Sequence, residues 1–242
     1  MNPLKDSTSK RRVLITGASS GAGAAAAVRL ATTHETVLVG RREERLEVVA
    51  EQVRAVDGRA VVVPWDLTKA PATDLVSAVG HIDDMVCAAG LNTPRRSWAE
   101  ILPDELHAII TTNLTSVADL VAASLPALRS SGGTVAIVSS LSAWVTSPGA
   151  GIAYRASKMG LRALSEGLNE QEAAHGVRAS IILPGDIDSD FLELRPSVPT
   201  ADARRRMLAP SDVAEAIAFA VTAPRHLRID ELVLTPLGTV ER

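Results

Sequence analysis

The sequence predicts an α/β fold: a doubly wound parallel sheet of about seven strands with helices on both faces, forming a single domain over residues 1–242. Three observations carry that expectation. Short β-branched runs alternate with longer helical patterns along the whole chain. The segments between most of these runs are long enough for the right-handed crossovers that parallel strands require. The apolar share is 46% with only 2% aromatic, so the core must be built from Ala, Val, Leu and Ile, which suits buried parallel strands under close-packed helices.

Taken in order, strands are expected at 13–16, 36–40, 60–63, 85–88, 134–139, 177–183 and 232–234, each short and rich in aliphatic residues. Helices are expected at 22–33, 43–56, 104–128, 154–175 and 211–222, several opened by a capping residue or closed by glycine. Gly58 and Gly176 stand where C-terminal glycines belong. No repeat or interdomain linker interrupts the pattern.

The formal charge of −3 leaves no broad basic field, so neither nucleic acid nor a membrane surface is expected as a partner. The opening ten residues, MNPLKDSTSK, are polar, lack the apolar stretch of a signal peptide and are expected to be flexible. No later run approaches the ~20 apolar residues needed to span a bilayer. A cytoplasmic protein is expected. The single cysteine, Cys87, cannot form an internal disulfide, and its neighbours Met85, Val86, Ala88 and Ala89 mark it as a buried small residue rather than a reactive thiol. No metal site is expected.

Thr16-Gly17-Ala18-Ser19-Ser20-Gly21-Ala22-Gly23 follows the first strand directly and leads into an Ala-rich helix. Glycines permit a tight turn and close backbone approach, and the free N–H groups at a helix start favour a pyrophosphate, so this turn is the expected site of a dinucleotide in a Rossmann-type fold. After the second strand, where an NAD site places an acid on the ribose, the chain reads Val39-Gly40-Arg41-Arg42. No carboxylate opposes a 2′-phosphate there, and Arg41 offers a planar charged fork to hold one, with Arg42 beside it. NADP, as NADPH, is the expected cofactor and NAD the less favoured one; a merely solvated helix start is the plain alternative for this charge run. Asp66, at the end of the third strand, and the backbone of Leu67 are expected near the adenine, with a helix cap as the alternative for Asp66.

Tyr154-Arg155-Ala156-Ser157-Lys158 holds the chain's one tyrosine and a lysine four residues on, sharing a helix face. A phenol with a pKa near ~10 is a poor base at neutral pH, but an ammonium at ~4 Å lowers it by up to about three units before desolvation is subtracted. Upstream, Val135-Ala136-Ile137-Val138 runs into Ser139 and Ser140, and a hydroxyl at a strand's carboxyl end can orient a carbonyl. Ser140 is preferred, with Ser139 and Ser142 open.

Taken together these residues resemble the classical short-chain dehydrogenase/reductase family over nearly the whole chain, from Arg12 to about Pro236. The resemblance rests on the TGxxxGxG turn (Thr16, Gly17, Gly21, Gly23), an Arg after the second strand as in the NADP-preferring subclass (Arg41), and Tyr154 with Lys158. It implies that Asn113 supports a water relay, Ser140 orients substrate, Tyr154 is the acid and base, and Lys158 binds the ribose and lowers the tyrosine's pKa. It also implies that Ala88, Ala89 and Gly90, then Pro184, Gly185, Ile187 and Ser189, line the cofactor, and that Asp66 lies in the adenine pocket. Three departures stand out: the usual Asn-Asn-Ala-Gly is Cys87-Ala88-Ala89-Gly90, the serine-to-tyrosine interval is about one residue longer, and the stretch from Asp66 to Ile82 is short, predicting a truncated helix.

The ending, from Ser211 through Ala223-Pro224 to Pro236, is similar to a subgroup containing 3-hydroxy acid dehydrogenases and clavulanate-type aldehyde reductases, which implies a small polar substrate. The expected activity is hydride transfer between the nicotinamide and a carbonyl or alcohol carbon of a small molecule. The rivals are an NAD-dependent dehydrogenase and a noncatalytic nucleotide-binding regulator; a methyltransferase leaves Tyr154 and Lys158 unused. The resemblance further implies a homodimer or homotetramer, built partly through the helices starting near Asp104 and Tyr154. Residues 190–210, with Pro196, Pro199, Pro210 and the cluster Arg204, Arg205 and Arg206, are expected to form a mobile substrate-covering segment.

Overall fold

A computed structural model describes residues 10–237, so the expected flexible lead-in lies, but for Lys10, outside the described residues. The strands are β1 (Arg11–Thr16), β2 (His34–Gly40), β3 (Arg59–Pro64), β4 (Asp84–Cys87), β5 (Thr134–Val138), β6 (Arg178–Pro184) and β7 (Glu231–Leu234). They form one sheet in the order β3-β2-β1-β4-β5-β6-β7, with every neighbouring pair parallel. The expected fold is present, and each strand begins and ends within two residues of its expected position.

The connecting helices are α1 (Gly21–Leu30), α2 (Glu43–Arg54), α3 (Ala72–Val79), α4 (Pro103–Ile110), α5 (Ser116–Ser131), α6 (Ile152–Glu172), α7 (Ala201–Arg204) and α8 (Pro210–Thr222). Alternation along each strand sends side chains to opposite faces. In β1, Val13 and Ile15 join a core with α1, α2 and α8 through Ala26, Leu30, Leu46, Val49, Val213 and Ile217. Leu14, between them, joins the other core, where Leu75 of α3, Leu120 and Leu128 of α5 and Leu161 of α6 are buried. β4, β5 and β6 are buried at every position, as strands covered on both faces must be. Each such fully buried aliphatic side chain contributes about 1.5–3 kcal/mol.

Three local expectations are corrected or sharpened. The helix expected at 104–128 is interrupted by a π-helical turn, Thr111–Thr115, between α4 and α5. Taken as one, Pro103–Ser131 is long and apolar enough to cross a membrane by length and composition alone. The same test is passed by a core helix, and here Val117, Leu120 and Leu128 pack on the sheet. At the end of α2 the left-handed residue is Asp57 (φ 57°) rather than Gly58, whose N–H donates to Val53 O at 3.0 Å. Gly58 matters for space: a Cβ there would lie 2.6 Å from that of Ala31. The truncated helix after Asp66 is α3, eight residues long.

At the amino edge of the sheet, Asp84 is buried among its partners. Its carboxylate accepts from Arg11 Nε (2.7 Å) and Nη2 (3.0 Å) and from Thr134 N (2.8 Å), and His34 Nε2 lies 3.2 Å away. These ties join β4 to the starts of β1, β2 and β5. At the opposite, carboxyl edge the chain winds outward from β1 through β2 and β3, then resumes at β4 on the other side of β1. A crevice opens at such a switch point, beyond the ends of β1 and β4.

Candidate active site

The glycine-rich turn stands at that crevice. Gly17 adopts φ +67°, and a Cβ on it would lie 2.7 Å from the backbone of Ala88 and Ala89. A Cβ on Gly23 would lie 2.4 Å from Gly17 O, so α1 can start this close to the turn only with glycine there. Thr16 Oγ1 accepts from the N–H groups of Ala88 (3.2 Å) and Ala89 (3.3 Å), bracing the Ala88-Ala89-Gly90 turn by backbone where the polar pair of the family pattern is missing. Ser20, at the start of α1, makes no side-chain cap, and Ala22 follows in the helix's first turn. The N–H groups at that start form the positive end of the helix.

Arg42 reaches back over this turn, donating from Nη2 to Ser19 Oγ (3.0 Å) and Ser20 Oγ (3.2 Å), while Arg41 is exposed at the end of β2. Asp66 accepts at Oδ1 from Thr68 N (3.0 Å) and Thr68 Oγ1 (2.7 Å). That contact holds its carboxyl below the usual range and closes an Asx turn; the helix-cap alternative is corrected, because α3 starts only at Ala72 with Pro71 before it. Leu67 beside it is half-buried. The segment after β6 closes over the turn. Gly185 N donates to Leu234 O (2.8 Å), Ile187 bridges to Leu208, and Ser189 Cβ lies 3.6 Å from where Gly21 would carry its own.

Farther along the edge, Asn113, Ser140, Tyr154 and Lys158 come together. Asn113 sits in the π turn, fully buried, accepting from Leu91 N (2.7 Å) and donating to Leu91 O (2.9 Å) and Ser157 Oγ (3.0 Å). These contacts, distant in sequence, explain why the helix widens here. Gly90 faces the cluster: a Cβ on it would lie 3.9 Å from both Asn113 Oδ1 and Lys158 Nζ. Among the three serines, Ser139 donates to Lys158 O (2.9 Å) and Ser142 donates to Ser140 Oγ (3.0 Å). Ser140 is the one that acts on the Tyr154 phenol, drawing its pKa down against the burial that raises it.

The electrostatics differ from the sequence expectation. Burial pushes the Tyr154 phenol above its ordinary value, opposed by Ser140 and then by the guanidiniums of Arg96 and Arg195. Lys158 Nζ donates to Val138 O (2.9 Å) and stands 5.6 Å from the phenol ring centre. Burial lowers Lys158 to about 8 and raises the Cys87 thiol to about 12, which bears out the reading of Cys87 as buried and unreactive. Arg96 and Arg195 were not singled out in the sequence. The signal available was the Arg95-Arg96 doublet in the loop after β4, which reads as surface charge until its partners are known.

Phe191, within residues 190–210, stands beside Tyr154. It lies on the 3-10 turn Asp190–Leu194, its ring centre 5.9 Å from that of Tyr154. A buried phenol beside a hydroxyl, an ammonium and two guanidiniums can exchange a proton with a bound oxygen, and the braced turn can receive a pyrophosphate.

The chain is similar to known oxidoreductases. An uncharacterized oxidoreductase of Staphylococcus saprophyticus is 32% identical over 234 residues, covering 93% of this chain and 96% of the relative. The structure of an alcohol dehydrogenase from the archaeon Thermococcus sibiricus, complexed with 5-hydroxy-NADP, is 28% identical with a TM-score of 0.83, over 94% of this chain and 97% of that one. A carveol dehydrogenase from Mycobacterium avium in complex with NAD, 23% identical over 95% and 97% of the two chains, shares the fold with a TM-score of 0.82. The family model for short chain dehydrogenase matches residues 11–197, most of the sheet and all four residues of the cluster, and the chain belongs to that family of oxidoreductases.

Proposed function

We propose that the protein is an NADP(H)-dependent oxidoreductase that interconverts a carbonyl and an alcohol on a small molecule, with Tyr154 as general acid and base. The observation that carries this reading is the meeting of Ser140, Tyr154, Lys158 and Asn113 beside Gly90, along the edge from the glycine turn. The cradle fits a dinucleotide because Cβ atoms on Gly17 and Gly23 would collide with backbone there, and the start of α1 is free of a side-chain cap.

Gly17, Ser19, Ser20, Gly21, Ala22 and Gly23 would hold the pyrophosphate, and Arg41 and Arg42 the 2′-phosphate. Asp66 and Leu67 would border the adenine. Ala88, Ala89, Gly90, Pro184, Gly185, Ile187 and Ser189 would border the nicotinamide half, with Lys158 on its ribose. Bound there, the nicotinamide supplies or accepts the hydride.

In reduction, Ser140 donates a hydrogen bond to the substrate oxygen and Tyr154 delivers the proton to it. In oxidation Tyr154 accepts that proton. Lys158 and Asn113 connect the phenol to water, and Phe191 with the rest of 190–210 keeps bulk water from the reacting carbon. We infer that the enzyme works in the cytoplasm, consistent with a lone buried thiol, and as a homodimer or homotetramer through α4, α5 and α6.

The test is Tyr154→Phe assayed for NADPH oxidation against a panel of aldehydes and ketones. Turnover falls about 10²–10⁴-fold while nucleotide affinity stays within a few-fold of wild type. Near-normal turnover by the variant contradicts the assignment.

A further inference from the structure

Three aspartates after β6 each hold an arginine: Asp186 pairs with Arg195, Asp188 with Arg204 (2.6 Å) and Asp190 with Arg45 (2.6 Å). Arg96, at the same edge and half-buried, pairs with no carboxylate among the described residues. Its guanidinium donates instead to three backbone carbonyls: Thr93 O from Nε (3.1 Å), Gly149 O from Nη1 (2.6 Å) and Leu194 O from Nη2 (3.0 Å). Those carbonyls belong to the loop after β4, the loop after β5 and the turn carrying Phe191, the three segments that border Tyr154. Carbonyls fix the orientation of a guanidinium and leave its charge uncompensated.

The stem of Arg96 is fixed as well. A Cβ on Gly151, the residue before α6, would lie 3.1 Å from Arg96 Cγ, and Ile152 N donates to Arg96 O (3.2 Å). A permanent cation is thereby built against the first turn of the helix that carries Tyr154. Three of the five N–H groups of the guanidinium are engaged, which leaves two. The charges of Arg96, Arg195 and Asp186 all act on the phenol, and the Lys158 ammonium stands 5.6 Å from its ring centre, so positive charge exceeds negative around it.

We propose that the substrate carries a carboxylate, held by Arg96 with Arg195, and that its reacting carbonyl or hydroxyl lies at Tyr154. The inference rests on the reading of Tyr154 as the proton donor. A neutral substrate closing over Arg96 would strip water from a cation and give nothing back, whereas a carboxylate accepts both remaining N–H groups and offsets the excess of positive charge.

The test uses the full chain with NADPH and matched compounds: acetoacetate, levulinate and succinic semialdehyde, each against its methyl ester. The acid is preferred by about tenfold or more in kcat/KM, the scale of a hydrogen bond to a charged group. Arg96→Gln and Arg195→Gln bring that ratio close to one, and Arg96→Lys restores part of it. A purely structural role for Arg96 lowers acid and ester alike and leaves the ratio intact, which overturns the proposal, as does a wild type that prefers the esters.

A binding arm keeps the outcome separate from the reductase reading. Calorimetry with NADP⁺ present compares butyrate with butyramide. Tighter binding of butyrate that is lost in Arg96→Gln supports the carboxylate site even where no compound is reduced, a result that would count against the reductase reading alone. Equal or absent binding of the pair, with no acid preference in turnover, overturns it.

Discussion

Asp84 and Lys158 approach opposite ends of the same strand, β4, and are almost equally buried, at 1% and 4% exposure. Asp84 meets Arg11, His34 and the Thr134 N–H, and its carboxyl stays below the ordinary range in spite of burial. Among the described residues Lys158 Nζ donates to Val138 O and pairs with no carboxylate, and burial lowers it to about 8. Burial alone therefore says little about what a charge is for. A buried charge that is fully paired ties strands together, and one left unpaired at a crevice is available for a ligand.

That contrast can be broken most directly at Asp84. Asp84→Asn leaves the Arg11 guanidinium without its counter-charge and costs about 3 kcal/mol or more of stability, read from urea unfolding, while KM values of the folded enzyme hold. The pH sign follows from the lowered carboxyl. Its stabilisation is complete above the ordinary value of 3.8 and is lost as pH falls through the folded value, so the acid limb of the stability curve flattens in the variant. Loss of activity without loss of stability would reverse the roles assigned to the two edges.

Lys158 sharpens the comparison from the other side. The folded chain releases this proton near about pH 8 and the unfolded chain near 10.5, so the unfolded state binds more protons between those values and stability rises with pH across them. Measured against Lys158→Met by denaturant unfolding, the wild type gains up to about 3 kcal/mol over that window. A difference that stays flat with pH would mean that the ammonium is already compensated.

The seven strands were legible because each is a short aliphatic run, buried on both faces in β4, β5 and β6 and partly exposed at the edges in β3 and β7, a pattern that depends on the strand's own residues. The glycine turn and the Tyr154–Lys158 spacing were legible for the same reason: the motif is local. What the sequence could not show depends on distant partners. The π turn is held by contacts from Asn113 to Leu91 and Ser157, which helical periodicity from 104 to 128 does not register. α3 and α7 are too short for a clear period. Arg96 finds two of its three carbonyls 53 and 98 positions away, contacts that local sequence does not register. The lowering of Tyr154 by Lys158, expected from their helical spacing, is not found: Nζ turns to Val138 O, and burial raises the phenol against Ser140, Arg96 and Arg195.

The measurement closest to the central claim is a titration of wild type and Arg41→Ala with NADPH and NADH, followed by quenching of the protein's tryptophan emission. The account predicts that NADPH binds about tenfold or more tightly than NADH and that Arg41→Ala removes most of that difference, the scale of a charge-assisted contact to phosphate. Binding of neither nucleotide would contradict the account, because a crevice that takes no dinucleotide gives Tyr154 no hydride partner.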